Sequence, residues 1–312
     1  MTETSQKIDN QLLKRVKQIG KFIGDTPLFP LNHIFQKEGV SIFAKFEWQQ
    51  LGGSVKARPA FNIIKQAIKN GDLHKGKRLL DATSGNTGIA YATVGAAVGI
   101  PVTIVIPENA SEERKLILKS LGAELIYTSK FDATDGSQAK AKELFAERPD
   151  LYYYADQYAN DANWQAHYHT TANEILSQTQ GSLTHFVTGL GTTGTFVGTT
   201  RGLKDLNPTI QVISLQPETA LHGLEGWKDL ETARVPKIYD PTLADQKLHV
   251  TTGESYELIK RVAKAEGLLL SPSAAANLSG AMQVANEIDE GVVVTVFADN
   301  AEKYGEVLKQ LF

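Results

Sequence analysis

Residues 78–99 read RLLDATSGNTGIAYATVGAAVG, and this stretch decides the fold class. A short apolar run ends at Ala82, small polar residues and glycines follow it, and a helical pattern of small residues continues from Gly88. The next residues, 100–107, read IPVTIVIP, a turn followed by a β-branched run typical of a buried strand. The stretch therefore predicts a strand, a helix and a second strand in succession.

The same alternation of short β-branched runs and helix-length stretches continues along the chain in both directions. The other strand-like runs include SIFAKFEW (41–48), AELIYT (123–128), LYYYAD (151–156), HFVTGL (185–190), QVISLQPE (211–218) and VVVTVFAD (292–299). Such alternation predicts an α/β fold with mainly parallel sheets and helices on both faces. A length of 312 residues indicates about two domains, although no linker marks a boundary.

The composition excludes several classes of function. Thirty-two basic and 35 acidic residues give a net charge of −3, so no positive field over the whole molecule points to nucleic acid or an anionic membrane. The absence of cysteine excludes disulfides, thiolate metal sites, iron–sulfur clusters and a cysteine nucleophile. The charged N-terminal residues show no secretory signal, and the uncharged stretch 89–107 is interrupted by glycines and a proline. We therefore expect a cytoplasmic protein.

The loop GLGTTGT, residues 189–195, lies between a strand-like and a helix-like run. Its glycines let backbone N–H groups turn inward, the helix dipole favours an anion, and three threonines add donors. This combination predicts a phosphate cradle. However, Gly189, Gly191 and Gly194 also satisfy G-x-G-x-x-G, and Glu218 lies where the ribose-binding acid of a dinucleotide site would be. A dinucleotide site and a plain tight turn therefore both stay open.

A second loop, residues 81–88, places a surplus of polar groups at the start of a predicted helix. Thr83, Ser84, Asn86 and Thr87 contribute side chains there in addition to the free backbone amides. One capping side chain is enough for a helix, and capping is expected to explain at least one of the four. The surplus indicates a bound carboxylate.

A lysine, Lys56, follows the turn Gly52-Gly-Ser in a third loop. By itself such a lysine is more often a solvated charge. If it lies instead in a cleft, desolvation lowers its pKa and makes it suitable for forming an imine.

A fourth loop, SPSAAA at residues 271–276, follows an apolar run and precedes a helical segment. Its plain interpretation is a helix N-cap with a proline in the first turn.

In chain order, these four loops resemble the motifs of the cysteine synthase and cystathionine β-synthase family of pyridoxal-phosphate enzymes. The resemblance extends from about Gly24 to Tyr304 and is greatest for the O-acetylserine and O-phosphoserine sulfhydrylases. It implies the fold of a fold-type II enzyme, with two three-layer αβα domains and the cofactor in the cleft between them. Residues 1–47 plus 161–312 would form the large cofactor-binding domain, and residues 48–160 a smaller mobile domain that binds the substrate carboxylate.

The resemblance also assigns roles to individual residues. It implies that Lys56 forms a Schiff base with the cofactor and moves the Cα proton, and that Asn86 contacts the cofactor's phenolic oxygen. The substrate carboxylate would be bound by Thr83, Ser84, Gly85, Thr87 and Gln157. The cofactor phosphate would be bound by Gly191, Thr192, Thr193, Gly194 and Thr195, and the pyridine nitrogen would face Ser273.

The implied reaction is a β-replacement that makes L-cysteine from O-acetyl-L-serine or O-phospho-L-serine and sulfide through an aminoacrylate intermediate. Such a transferase or lyase of cysteine biosynthesis is expected to be a homodimer, with serine acetyltransferase or a sulfur-carrier protein as possible partners. Three alternatives stay open. They are a related β-replacement or elimination with another nucleophile, such as homocysteine, cyanide or an amine, a nicotinamide-dependent oxidoreductase, and a non-catalytic cofactor-bound scaffold.

Several positions depart from the family pattern. Gln50-Leu51 replaces Asn-Pro, Ala57 replaces Asp, and Thr193 replaces the third residue of Gly-Thr-Gly-Gly-Thr. The stretch 218–241 departs most, so we expect it to determine specificity. There, Lys228 and Arg234 would pair with a phosphate leaving group or be solvated charges.

A pair of histidines, His167 and His169, suggests a metal site at first sight. The sequence DANWQAHYHTTANEI predicts one helix over residues 161–175. Side chains two positions apart on a helix diverge, so we interpret both histidines as structural and expect no metal.

Overall fold

The computed structural model describes residues 9–131 and 133–312. The strands, β1 to β10 in chain order, are Leu28–Pro30, Val40–Phe46, Arg78–Ala82, Val102–Pro107, Glu124–Thr128, Tyr152–Tyr154, His185–Gly189, Gln211–Pro217, Gln246–Val250 and Gly291–Phe297. The α-helices, α1 to α11, are Asn10–Ile19, Ala57–Asn70, Asn86–Val98, Glu112–Ser120, Ala133–Glu147, Asp161–His169, Thr171–Gln178, Gly194–Leu206, Thr252–Ala265, Pro272–Glu287 and Gly305–Leu311. None of the helices in the described part of the chain has the length and apolar character needed to span a membrane.

The chain divides into two compact units. The smaller unit comprises the described residues up to Ile23 and Lys56–Ala162, and the larger unit comprises Gly24–Val55 and Asn163–Phe312. The N-terminal helix α1 therefore lies in the smaller unit, whereas the sequence predicted residues 1–47 in the larger domain.

Helix α1 belongs to the smaller unit because of its apolar face. Leu12 and Val16 are buried in the same cluster as residues of α2 and α3. The guanidinium of Arg15 donates a hydrogen bond to the carbonyl of Val98 at 3.1 Å, which ties α1 to the C-terminus of α3. A segment that reads as charged throughout therefore still contributes to a core.

The smaller unit is a three-layer αβα sandwich. Its four strands are all parallel, in the order β5-β4-β3-β6. Neighbouring residues of a strand point to opposite faces, so Leu79 packs with α1, α2 and α3 while Leu80 packs with Ala141 of α5. Both faces of the sheet are thereby covered, as a parallel sheet requires.

The larger unit repeats this architecture around six strands in the order β1-β2-β10-β7-β8-β9. All neighbours are parallel except β1, which is antiparallel to β2. One face packs against α9 and α10 through residues such as Ile259 and Leu278, and the other packs against α7 and α8 through Ile175 and Leu203. The predicted α/β class with mainly parallel sheets is confirmed.

Local predictions succeed where the periodicity is strong and fail where it is weak. The strand, helix and strand expected at 78–107 are present, with Gly99 at a φ of +90° ending α3. Edge strand β9 was not expected, because its sequence QKLHV is mostly exposed and carries no apolar run. The single helix expected at 161–175 is broken between α6 and α7 at Thr170, whose backbone is not helical.

Candidate active site

Lys56 lies directly before α2 and is partly buried. Its backbone is already helical, with φ −71° and ψ −14°, and its carbonyl accepts a hydrogen bond from the N–H of Ala60 at 3.1 Å. The first turn of α2 therefore fixes the backbone of this lysine at the start of a long helix.

The loop between β3 and α3 presents backbone groups that no cap residue covers. Gly85 occupies the N-cap position and has no side chain to cap the helix, while Thr83 Oγ1 accepts a hydrogen bond from the N–H of Gly85 at 3.1 Å. A Cβ built at Gly85 would meet no atom within 4 Å. The expectation that one of the four polar side chains caps α3 finds no support at the N-cap position. The loop is an open N-terminus of a 13-residue helix.

Two residues predicted to bind the substrate carboxylate are in contact within the smaller unit. Thr87 Oγ1 donates to Gln157 Oε1 at 2.7 Å, and Gln157 Nε2 faces the carbonyl of Ala82 at 3.4 Å. Both side chains are buried. Gln157 follows β6 and Thr87 follows β3, so the neighbouring carboxyl ends of two parallel strands bring them together.

A buried acid that sequence reasoning missed, Asp81, supports this pair. One of its carboxylate oxygens accepts from the N–H of Ala82 at 2.8 Å, and the other faces the N–H of Gln157 at 3.4 Å. Burial raises the pKa of Asp81 to about 7, and the negative charge of Asp156 acts in the same direction, against the lowering effect of these N–H groups. The signal available in the sequence was an acidic residue at the end of an apolar strand, directly before the polar loop.

The backbone next to Gln157 is strained. Asp156 has a φ of +41°, in the left-handed region that non-glycine residues rarely adopt. Its carbonyl accepts hydrogen bonds from the N–H groups of Ala159 and Asn160, both at 2.9 Å. This turn directs Gln157 back toward the end of β3, and strain of this kind is typical of functional sites.

The glycine loop 189–195 of the larger unit is packed closely on three sides. A Cβ at Gly191 would lie 2.2 Å from the carbonyl oxygen of Gly226, and one at Gly194 would lie 1.9 Å from Asn163 Oδ1. At Gly189 it would lie 2.0 Å from the ring of Trp227. Only glycine fits these three positions. The loop then leads into α8, as the sequence predicted.

The threonines of this loop form a set of hydroxyls at the N-terminus of α8. Thr192 Oγ1 accepts from Asn163 Nδ2 at 3.2 Å, and Thr195 Oγ1 lies 3.3 Å from His167 Nε2. Thr193 has a φ of +68°, and its buried hydroxyl has no hydrogen-bond partner among the described residues. A buried hydroxyl without a partner is costly, so this cradle fits an added oxyanion such as the phosphate of a cofactor.

One histidine that was interpreted as structural contacts this cradle. His167 is buried and lies between two threonine hydroxyls, with Nδ1 at 2.9 Å from Thr171 Oγ1 and Nε2 facing Thr195. His169 is exposed. Among residues 9–131 and 133–312, no group of three or more His, Asp or Glu side chains is arranged to hold a metal ion.

Ser273 lies in the first turn of α10, one residue after Pro272. Ser271 is the N-cap of this helix, because its hydroxyl accepts from the N–H of Ala274 at 3.2 Å. The Ser273 hydroxyl is 3.2 Å from that of Ser271 and buried. The plain capping interpretation therefore holds for Ser271 and leaves Ser273 as a separate uncharged hydroxyl.

The predicted specificity stretch, 218–241, is joined to the glycine loop through backbone. The N–H of Lys228 donates to the carbonyl of Leu190 at 2.8 Å. The side chain of Lys228 is partly buried, whereas Arg234 and Glu218 are exposed. The stretch thus brings one of its two candidate cations to the edge of the glycine loop.

Comparison with known proteins finds a family model and similar proteins that cover most of the chain. The family model described as "Pyridoxal-phosphate dependent enzyme" matches residues 19–299. A cysteine synthase of Aquifex aeolicus is 45% identical, over 95% of this chain and 93% of the relative. A cysteine synthase structure from Entamoeba histolytica has a TM-score of 0.88 at 30% identity and covers 99% of this chain and 93% of its own. The O-acetylserine-dependent cystathionine β-synthase of Helicobacter pylori has a TM-score of 0.86 at 32% identity and covers 92% and 96%.

Proposed function

Because the chain belongs to the family of pyridoxal-phosphate-dependent enzymes, we propose that it makes L-cysteine by replacing the β-substituent of an activated serine with sulfide. The observation that carries the proposal is the open N-terminus of α3 with the Thr87–Gln157 contact beside it. Backbone amides, hydroxyls and a carboxamide converge there, and this is the chemistry that recognises the carboxylate of an amino acid.

Two sets of residues would hold the cofactor. Lys56 would bind it covalently, Asn86 would contact its phenolic oxygen, and Ser273 would meet its pyridine nitrogen. The phosphate would occupy the cradle of Gly191, Thr192, Thr193, Gly194 and Thr195. The buried Thr193 hydroxyl there has no hydrogen-bond partner in the part of the chain that the structure describes. Bound pyridoxal phosphate supplies an electron sink that makes the Cα proton of an amino acid acidic and lets a β-substituent leave.

The protein's own groups would then handle one proton and one carboxylate. The amine of Lys56 takes the proton from the substrate Cα and later returns it. The substrate carboxylate is bound, and the Cα–H bond oriented, by Thr83, Ser84, Gly85, Thr87 and Gln157. Closure of the smaller unit around the carboxylate excludes water. Ser273 carries no charge, so it does not hold the pyridine nitrogen protonated, which favours prompt loss of the β-substituent.

The covalent role of Lys56 is tested by its absorption and by trapping. We expect the purified protein to show a visible absorption band that the Lys56→Ala variant lacks. Borohydride reduction followed by peptide mapping should place the added mass on the peptide that contains Lys56. A required nicotinamide cofactor, or the added mass on another lysine, would overturn the assignment.

The reaction itself is tested by product formation with a panel of β-substituted alanines and nucleophiles. We expect cysteine from O-acetylserine or O-phosphoserine with sulfide at rates above those with homocysteine, cyanide or amines. A protein that binds the cofactor but forms no product with any pair would be a scaffold rather than an enzyme.

For the leaving group, we propose Lys228 as the phosphate contact, supported by its partly buried position next to the glycine loop. Lys228→Ala should raise the Michaelis constant for O-phosphoserine far more than that for O-acetylserine. Arg234→Ala is the matched control, because Arg234 is exposed on the same stretch. Equal effects of Lys228→Ala on both substrates would remove this role.

A cytoplasmic homodimer is the state we propose for the enzyme, with serine acetyltransferase or a sulfur-carrier protein as candidate partners. Light scattering of the purified protein tests the dimer. Co-purification with each candidate partner, expressed together with the enzyme, tests the association.

A further inference from the structure

The side chain of Asn277 joins two strands of the larger unit at their carboxyl ends. Strands β7 and β10 pair from His185 with Val293 to Val187 with Thr295. Beyond that last pair, Asn277 Oδ1 accepts from the N–H of Gly189 at 2.7 Å, and Asn277 Nδ2 donates to the carbonyl of Val296 at 2.6 Å.

Where the backbone pairing of β7 with β10 ends, the carboxamide of Asn277 forms the hydrogen bonds instead. A carboxamide offers the same donor and acceptor as a peptide group, so one side chain satisfies a backbone N–H on one strand and a C=O on the next. It is buried, with 3% of its surface exposed, and both bonds are short. Carboxyl ends of parallel strands are where ligands bind in such sheets.

Asn277 also connects the two regions that would hold opposite ends of the cofactor. Gly189 is the first residue of the glycine loop, whose following residues form the proposed phosphate cradle. On α10, Asn277 lies four residues after Ser273, one turn along the same face of the helix. A single side chain thus fixes the start of the phosphate loop relative to the helix that carries the proposed contact to the pyridine nitrogen.

We propose that Asn277 is a positioning residue that sets the distance between the phosphate cradle and Ser273, and thereby the affinity for the cofactor. This inference rests on the proposed function, since it takes the glycine loop and Ser273 as cofactor contacts. Asn277 itself touches backbone rather than cofactor.

The alternative is that Asn277 only stabilises the fold, and the chain contains a matched control for it. At the opposite end of the same strand pair, Thr184 Oγ1 donates to the carbonyl of Val292 at 3.0 Å and accepts from its N–H at 2.9 Å. Thr184 therefore also stabilises the pairing of β7 with β10 through a side chain, but it bonds both backbone groups of one residue, at the end of the strands remote from the glycine loop.

The experiment compares Asn277→Ala with Thr184→Val. Each protein is freed of cofactor and titrated with pyridoxal 5′-phosphate and with pyridoxal, which lacks the phosphate. We expect both variants to lower the urea midpoint. Only Asn277→Ala should weaken binding of pyridoxal phosphate, by at least tenfold. It should also reduce the affinity ratio, which is the affinity for pyridoxal phosphate divided by that for pyridoxal. The reason is that, with the cradle misplaced relative to Ser273, the cofactor cannot contact both with its phosphate and its ring at the same time.

Equal losses for the two variants, or an equal loss for both ligands in Asn277→Ala, would overturn the inference. If Asn277→Ala does not fold, Asn277→Asp is measured on the same scale. It keeps an acceptor for Gly189 but loses the donor to Val296, and it too should reduce the affinity ratio.

Thr195→Ala separates failure of this inference from failure of the proposed function. If Thr195→Ala lowers the affinity ratio and neither Asn277 variant does, the phosphate site stands and Asn277 has no positioning role. If Thr195→Ala leaves the ratio unchanged, the glycine loop does not bind the phosphate and the inference fails with the assignment on which it rests.

Discussion

The two loops that precede α3 and α8 are built from the same residue types and differ in their packing. Both follow a parallel strand, and both combine glycines with threonines at the start of a 13-residue helix. Added Cβ atoms at Gly191 and Gly194 would collide with surrounding atoms, whereas one at Gly85 would meet open space. A cradle closed by its surroundings suits a group that stays bound, and an open helix N-terminus suits one that enters and leaves in each turnover.

The largest effect on cofactor binding is expected from Gly191→Ala. Its new methyl group would lie 2.2 Å from the backbone carbonyl of Gly226, which cannot rotate away, and overpacking of this kind costs about 1–3 kcal/mol or more. Affinity for pyridoxal phosphate should fall by about two orders of magnitude, which corresponds to about 2.7 kcal/mol. Titration of the apoprotein measures it, and a variant that binds like the wild type would show that the cradle is not closed.

The support beneath the open loop is tested by Asp81→Asn. In the native state burial raises the pKa of Asp81 from the ordinary aspartate value of 3.8 to about 7, so between these two pH values only the native state holds the proton. The free energy of unfolding should therefore fall by about 1.4 kcal/mol per pH unit as pH rises through this window, and stay level above it.

Asn cannot ionise, so the variant lacks this contribution, and its urea stability profile should diverge from that of the wild type between about pH 4 and 7. Tyr91 faces the same carboxyl, but burial and the charge of Asp81 raise the pKa of that phenol well above its usual value, so it stays neutral throughout. Parallel profiles for the two proteins would show that Asp81 is ionised in the native state across the window.

A smaller effect is expected from Thr87→Val, which keeps the shape of the side chain but removes the donor to Gln157. Loss of one hydrogen bond in the carboxylate site corresponds to about 1.4 kcal/mol, so the Michaelis constant for the amino-acid substrate should rise about tenfold. The affinity for pyridoxal phosphate should not change. If cofactor affinity falls instead, it is wrong to assign the substrate carboxylate to Thr87 and the cofactor phosphate to the glycine loop.

The smallest effect is expected from Gly85→Ala. The residue has φ −130°, which a side chain tolerates, and the space around it is open. Stability should change by no more than about 0.5 kcal/mol, and cofactor affinity should stay the same. Thermal unfolding provides the measurement, and a loss of 2 kcal/mol or more would mean that this loop is as closed as the other.

How much the sequence predicted depends on where each signal lies. The strands and the four loops were predictable, because apolar periodicity and clusters of glycine, serine and threonine are local features of the chain. The packing that distinguishes the two loops was not, since Gly226 and Asn163 approach the glycine loop from distant parts of the sequence.

The same limit explains the supporting residues that were missed. Asp81 and Asn277 are single polar residues in apolar or small-residue surroundings, and no spacing rule identifies them. His167 was noticed beside His169, but its contact with the glycine loop was not predicted. Their roles depend on partners such as Gln157, Thr195 and Gly189, which lie 28 to 88 positions away along the chain. Helix α1 was misplaced for a related reason, because its two buried residues are outnumbered by charges.

The strand order of the larger unit bears on how the chain folds as it is synthesised. Every strand of the smaller unit lies between Arg78 and Tyr154, so its sheet can close early. In the larger unit, β10 is the last strand to be made and yet lies between β2 and β7, with Gly291 opposite Val40. Until β10 leaves the ribosome, the facing edges of β2 and β7 lack their neighbour and are exposed to wrong pairing with other chains. The nascent protein thus carries one finished sheet and one unfinished sheet until synthesis is nearly complete.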